Sequence, residues 1–139
     1  MNKKTRVAGL FGLLFSLLSC TSSEVNVSNN FKAIVYYSPT HINGARTVIP
    51  MTEKRIRRKK TKNIVSQQLY KSIDSIINSS CSGGTPDDNM MILIQINTGE
   101  IAIHQNGKIS VKNKVCNNVT VEEAVKLIKL TNLKARIIK

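Results

Sequence analysis

The residues of this chain that could carry out acid–base or nucleophilic chemistry are few and scattered. Asp87 and Asp88 are adjacent carboxylates in a loop rich in glycine and proline. Such pairs far more often form turns than act as acid–base or cation-binding groups. None of the serines lies in a nucleophile elbow, and Gly83-Gly84 lacks the Lys-Ser/Thr of a phosphate-binding loop. We therefore predict no catalytic residue and no enzymatic activity.

The histidines and cysteines do not have the spacing of a metal site. Only His41 and His104 could join Cys81 and Cys116 as ligands, and no ligand pattern is recognisable among them. We expect His104 to lie on a strand, on the same face as Ala102 and opposite the isoleucines, as a surface or packing residue. The sequence therefore predicts no metal and no cofactor.

The strongest anomaly is a basic run, in which seven of the nine residues from 54 to 62 are cationic, within a chain of net charge +13. In a helix, these residues would form like-charge pairs four positions apart near the positive end of the helix dipole. A local rule that is broken without compensation often marks a functional site. The run is either a binding site for an anionic partner or a solvated loop before a helix. Its cations are Lys54, Arg55, Arg57, Arg58, Lys59, Lys60 and Lys62.

The N-terminus has the features of an export signal. Lys3, Lys4 and Arg6 precede an apolar run over residues 7–18. That run is too short to span a bilayer, which needs about 20 apolar residues. Its length is typical of the apolar region of a secretory signal peptide.

The apolar run ends in Leu17-Leu18-Ser19-Cys20, which resembles the lipobox of bacterial lipoproteins. The resemblance implies a diacylglyceryl thioether on Cys20 and cleavage just before it, so that residues 1–19 are a signal peptide. Residues 20–30 are then the lipidated cysteine and a flexible tether, and residues 31–139 form one small domain. Thr21, rather than Asp, implies an outer-membrane destination.

The two remaining cysteines are candidates for a disulfide, because export places them in an oxidising compartment. If the strands between them form an up-down-up meander, Cys81 and Cys116 lie at opposite ends, roughly 20 Å apart. A bridge therefore requires residues 82–89 to run back along the sheet. The alternative is a pair of buried free thiols.

The first half of the domain is predicted to contain one strand and one helix. Residues 31–37 are rich in β-branched and aromatic residues and predict a strand. A helix that ends near Ser79 follows, with Thr52 or Thr61 as its N-cap. Its apolar stripe is Val65, Leu69, Ile73, Ile76 and Ile77.

The second half predicts a three-strand meander, since isoleucine and valine alternate over residues 92–96, 101–103 and 109–111. A three-residue loop, 105–107, places Ile103 opposite Ile109 and Gly107 in the left-handed region. A two-residue turn would instead place apolar and polar residues on the same face.

The C-terminal part predicts a second helix with a capping box, formed by Thr120 and Glu123. Residues 133–138 are a candidate for a last strand. The predicted fold class is α+β: a small antiparallel sheet, made of one N-terminal strand and the three-strand meander, with two helices packed on one face.

These features together predict a lipid-anchored protein of the bacterial cell envelope, at the periplasmic face of the outer membrane. It would act by binding through its basic surface. The expected partner is an anionic protein or an envelope glycolipid and not nucleic acid, because no nucleic-acid-binding motif accompanies the charge. The alternatives are a structural envelope component and a hydrolase with an unrecognised site.

Overall fold

The computed structural model describes residues 28–42, 50–86 and 89–138. The predicted signal peptide, Cys20, most of the predicted tether and the Asp87-Asp88 pair lie outside the described residues. The strands are β1 (Lys32–Tyr37), β2 (Lys60–Val65), β3 (Met90–Ile96), β4 (Gly99–His104), β5 (Ile109–Val111) and β6 (Lys114–Val115). The helices are α1 (Pro39–Ile42), α2 (Glu53–Ile56), α3 (Gln67–Ile77) and α4 (Val121–Leu130), and a 3-10 turn covers Ser28–Phe31.

The six strands form one antiparallel sheet in the order β2-β1-β3-β4-β5-β6. β3, β4 and β5 are the predicted meander, and Ile103 pairs with Ile109 as predicted. Gly107 has a φ of 82°, so the three-residue loop with its left-handed glycine is also confirmed. The hydrophobic alternation therefore determined this register correctly.

The sheet has a different covering on each face. On one face, the alternating isoleucines of β3 and β4 pack with Leu69 and Ile73 of α3 and with Ala124 of α4. On the other face, Ile56 of α2 and Met51 pack against Leu93 and Ala102. We refer to these as the helix face and the second face.

The two long helices begin at side-chain caps. The predicted capping box of α4 is confirmed: the Glu123 N–H donates to Thr120 Oγ1 at 3.3 Å, and the Thr120 N–H donates to the Glu123 carboxylate at 2.7 Å. In α3, the Leu69 N–H donates to Ser66 Oγ at 3.2 Å. Within the described residues, no helix is long and apolar enough to cross a membrane.

The helix that the sequence predicts up to Ser79 is wrong in its first half. It begins only after Ser66, and residues 60–65 form the edge strand β2. Val65, which extends the predicted stripe by one turn, is 58% exposed on that strand. The error arises because Val65 fits the apolar period of a helix and also that of a strand. Only its pairing with Lys32 in the neighbouring strand decides between the two.

The predicted fold class is therefore contradicted: the sheet has six strands, not four, and helical segments lie on both of its faces. β2 lies where the sequence predicts the start of a helix, and β6 contains only two residues, too few for a periodic pattern. The predicted last strand over residues 133–138 is absent. This segment makes isolated hydrogen bonds, from the Arg136 N–H to the Ile42 carbonyl at 2.9 Å and from the Ile138 N–H to the Gln105 carbonyl at 2.8 Å.

Cys81 and Cys116 have their sulfur atoms 2.01 Å apart and their Cα atoms 4.2 Å apart. The structure thus places the two predicted partners at disulfide distance. β6 reverses the chain after β5, and the Cys116 N–H donates to the Ile109 carbonyl at 2.8 Å. Cys116 therefore does not lie at the far end of the meander.

The segment after Cys81 lies along the outer edge of β6. The Gly83 N–H donates to the Val115 carbonyl at 2.9 Å, and the Val115 N–H donates to the Gly84 carbonyl at 3.1 Å. A Cβ atom on Gly83 would lie 2.6 Å from the Val115 carbonyl oxygen, so this close approach requires glycine. This edge of the sheet is therefore covered by the chain itself.

Candidate functional site

The basic run lies across three consecutive local structures: the short helix α2, the turn that follows it, and the edge strand β2. The like-charge pairs of a continuous helix therefore do not form. The structure separates the seven predicted binding cations into two groups, those whose side chains hold the fold together and those exposed to solvent.

Arg57 belongs to the first group. Its guanidinium forms ion pairs with Glu53, at 3.0 Å, and with Glu100. Burial acts to lower the pKa of Arg57, but the hydrogen bonds and charges of Glu100 and Glu53 together raise it above its usual value. The same group donates to Gln95 Oε1 at 3.4 Å, and its carbon lies 5.1 Å from the centre of the Tyr36 ring. Arg57 thus attaches the segment after α2 to the second face.

Arg55 and Lys62 also make defined contacts. Arg55 donates to the Pro50 carbonyl at 2.9 Å. Lys62 Nζ donates to the Thr131 carbonyl at 3.0 Å, at the C-terminal end of α4. A cation at this end of a helix is favourable because unsatisfied carbonyls concentrate negative charge there. Lys62 therefore joins the sheet edge to α4.

The other four cations of the run, Lys54, Arg58, Lys59 and Lys60, are exposed. None of them makes an ion pair with the described residues. Glu53, which precedes the run in sequence, and Glu100 are both paired with Arg57. We call these four residues the basic cluster. It is the part of the predicted site that remains available to a partner.

His41 is a buried histidine whose pKa is affected by the charges of the basic run. Its side chain is 2% exposed, and its Nδ1 lies 3.3 Å from Ser38 Oγ. Burial lowers the pKa of His41 below its usual value, and the positive charges of Arg55 and Lys59 lower it further. Both effects favour the neutral form of the imidazole.

A cleft of about 690 Å³ opens on the second face beside α2. Its floor is apolar, with Met51, Leu93 and Ala102, and its rim is polar. Glu53 and Glu100 line one side of it, so the ion pairs of Arg57 also form part of its wall.

Two polar side chains meet inside this cleft. His104 Nε2 lies 2.8 Å from Ser110 Oγ, and each residue is 4% exposed. His104 lies on the face of Ala102, opposite the isoleucines, as the sequence predicts, and Ala102 pairs directly with Ser110. A histidine base beside a hydroxyl is the arrangement that activates a serine nucleophile, and it is equally a way of satisfying two buried polar groups.

The contact between His104 and Ser110 is not among the sequence predictions, although the sequence contains the signal for it. The register that pairs Ile103 with Ile109 also pairs Ala102 with Ser110. It therefore places Ser110 on the same face as His104, on the neighbouring strand.

Within the described parts of the chain, no three His, Cys, Asp or Glu side chains come together as metal ligands would. Comparisons with protein-family models, with curated proteins and with solved structures found no match to this chain.

Proposed function

We propose that this protein is a lipid-anchored lipoprotein of the bacterial cell envelope, and that it binds an anionic partner through the basic cluster. The anchoring part of the proposal is supported by the lipobox-like sequence that ends at Cys20. The partner is an anionic protein or an envelope glycolipid, since export removes the chain from contact with nucleic acid. The protein acts by binding and not by catalysis.

One observation carries the binding part of the proposal: the basic cluster is exposed while the neighbouring acids are already paired with Arg57. Exposed cations that are close in sequence repel one another, and no acidic side chain of the described residues forms an ion pair with these four. An anionic partner would remove this repulsion. A lipid anchor would also keep the cluster close to anionic headgroups and to other envelope proteins.

The anchor is tested with the full-length precursor. Cys20→Ala should abolish labelling by a radioactive fatty acid and leave an unprocessed precursor or a differently cleaved product. The intact mass of the mature wild-type protein should show a modified Cys20. An unmodified Cys20 in the mature protein would contradict the anchor.

Binding is tested with the mature lipoprotein reconstituted in neutral phosphatidylcholine vesicles. The test variant replaces Lys54, Arg58, Lys59 and Lys60 by Gln, and a matched control replaces Lys108, Lys112, Lys114 and Lys126, exposed cations elsewhere on the molecule. Lipopolysaccharide, dextran sulfate and an acidic peptide are the probes.

The cluster variant should bind these polyanions more weakly than wild type, and the control variant should not. Added salt should weaken wild type towards the cluster variant, since screening acts over about 8 Å at physiological ionic strength. Thermal stability should change little, by less than about 0.5 kcal/mol. Equal losses in both variants would indicate a general charge effect and would contradict a defined site.

A second candidate function is ester hydrolysis, favoured by the 2.8 Å contact between His104 Nε2 and Ser110 Oγ in the cleft. In such a reaction, the imidazole would take the hydroxyl proton while the Ser110 oxygen attacks the carbonyl carbon of an ester. The imidazolium would then protonate the leaving alkoxide, and water would release the acid from the acyl-serine. A fluorophosphonate probe should label wild type and Ser82→Ala but not Ser110→Ala. If it does not label wild type, the pair serves only the packing of the sheet.

A further inference from the structure

The outer edge of β2 has hydrogen-bonding groups that the described residues do not use. The Ser66 N–H donates to the Phe31 carbonyl at 3.2 Å, just beyond the paired stretch of β1 and β2. In an antiparallel pair, every second residue turns its N–H and C=O toward its neighbour. The register therefore turns Lys60, Lys62 and Ile64 toward β1.

The same alternation turns the backbone of Thr61, Asn63 and Val65 away from the sheet. Among the described residues, none donates to or accepts from these three backbones. Their side chains lie on the second face and are exposed, Val65 by 58%. β2 thus presents a six-residue open edge, with the exposed apolar side chain of Val65 at its end.

The two edges of the sheet differ in whether another segment of the chain is hydrogen-bonded to them. The β6 edge is hydrogen-bonded to Gly83 and Gly84, whereas the β2 edge is preceded by Arg58 and Lys59 and begins with Lys60. Lysines on an edge strand prevent pairing with a second copy of the same edge, because the like charges would meet. The same charges favour a strand of opposite sign.

We propose that an acidic segment of a partner protein binds in extended conformation along β2 and adds a strand to the sheet. This inference rests on the proposed function, since it specifies how the anionic partner occupies the basic cluster. The main-chain groups of Thr61, Asn63 and Val65 would hold the segment. Its acidic side chains would lie near Arg58, Lys59 and Lys60, and a β-branched side chain would cover Val65.

The decisive variant is Asn63→Pro. Proline is tolerated on an edge strand where the N–H points away from the sheet, so this change removes an outward donor without removing a bond to β1. Asn63→Ala is the matched control, because it keeps the donor. The probes are a short peptide of alternating Glu and Val, and dextran sulfate, which carries charge but cannot form a strand.

For Asn63→Pro, we expect about tenfold weaker binding of the peptide and unchanged binding of dextran sulfate. Asn63→Ala should bind both probes as wild type does. In wild type, hydrogen exchange should show that the peptide protects the amides of Thr61, Asn63 and Val65, whereas Lys62 and Ile64 are protected already. If Asn63→Pro lowers the thermal midpoint, its weaker binding could come from unfolding. The hydrogen-exchange measurement on wild type then decides whether the peptide adds a strand to β2.

Other outcomes separate the two proposals. If the peptide binds wild type but the amides of Thr61 and Asn63 gain no protection, the interaction depends on charge alone. Strand addition is then wrong, while the proposed function stands. If wild type binds neither the peptide nor dextran sulfate, the proposed function is wrong and strand addition with it.

Discussion

The guanidinium of Arg57 lies over the Tyr36 ring, with 5.1 Å between its carbon and the ring centre. Tyr36 lies on β1 and donates its hydroxyl hydrogen to Gln95 of β3 at 3.2 Å. Gln95 Oε1 also accepts from Arg57 at 3.4 Å. One cation of the basic run therefore connects two central strands to the segment after α2, and its role is structural.

This relationship predicts unequal effects on stability for two neighbouring arginines. Arg57→Gln loses the ion pairs with Glu53 and Glu100 and the contact with the Tyr36 ring, and should lower the free energy of unfolding by about 1–2 kcal/mol. Arg58→Gln removes an exposed charge and should change it by less than about 0.5 kcal/mol. Urea unfolding of both variants measures the difference. Equal stabilities would show that Arg57 contributes no more than a surface cation.

The N-cap of α3 gives a second prediction with an internal control. Ser66→Ala removes the acceptor of the Leu69 N–H and should cost about 1 kcal/mol. Thr52 occupies the corresponding position of α2 but makes no side-chain capping bond, so Thr52→Ala should cost much less. Thermal unfolding of the two variants tests this. A larger effect at Thr52 would contradict the assignment of the caps.

Local signals predicted the elements whose geometry is set by nearby residues. Gly107 and the alternating isoleucines determine the β4–β5 register, and Thr120 with Glu123 determines the start of α4. In each case, the chemistry that decides the structure lies within a few residues of the element.

The sequence predictions are wrong where a partner distant in sequence decides the structure. Residues 60–65 carry four polar residues before Ile64 and Val65, and they become a strand because β1 pairs with them. Conversely, Leu133, Ala135 and Ile137 alternate as a strand would and pack against the core, yet no ladder forms there. The same holds for the candidate site. Arg57 has a structural role and is not free to bind a partner because it pairs with Glu100, 43 positions later.

The Cys81–Cys116 pair predicts a stability that depends on the redox state. A bridge between these residues should contribute roughly 3–4 kcal/mol in the chain-entropy model. Reductant should therefore lower the thermal midpoint of wild type by several times the roughly 4–8 °C expected per kcal/mol in a domain of this size. The double variant Cys81→Ala/Cys116→Ala should be insensitive to reductant. If both cysteines of the native, oxidised protein react with a thiol label, they are buried free thiols instead.

His41 predicts how stability depends on pH. Its pKa is lowered in the folded protein, by burial first and by Arg55 and Lys59 next, from a usual value of 6.5. As the pH falls through this usual value, the unfolded chain takes up a proton that the folded protein does not. The contribution of His41 to stability is therefore complete above about pH 6.5 and decreases as the pH falls toward the folded-state pKa. Wild type should lose more stability than His41→Gln over that interval.

The same histidine should report on the occupancy of the basic cluster, and its titration can be followed by NMR of the imidazole. Arg55→Gln/Lys59→Gln should raise the pKa of His41 only part of the way to its usual value, because burial is the larger cause and remains. Lys108→Gln/Lys112→Gln, the matched change elsewhere on the molecule, should not alter it. Saturating dextran sulfate should also raise the pKa of His41 in wild type, since an anion beside Lys59 offsets the charge that lowers it. If bound dextran sulfate leaves this pKa unchanged, the polyanion occupies another surface and the basic cluster is not its site.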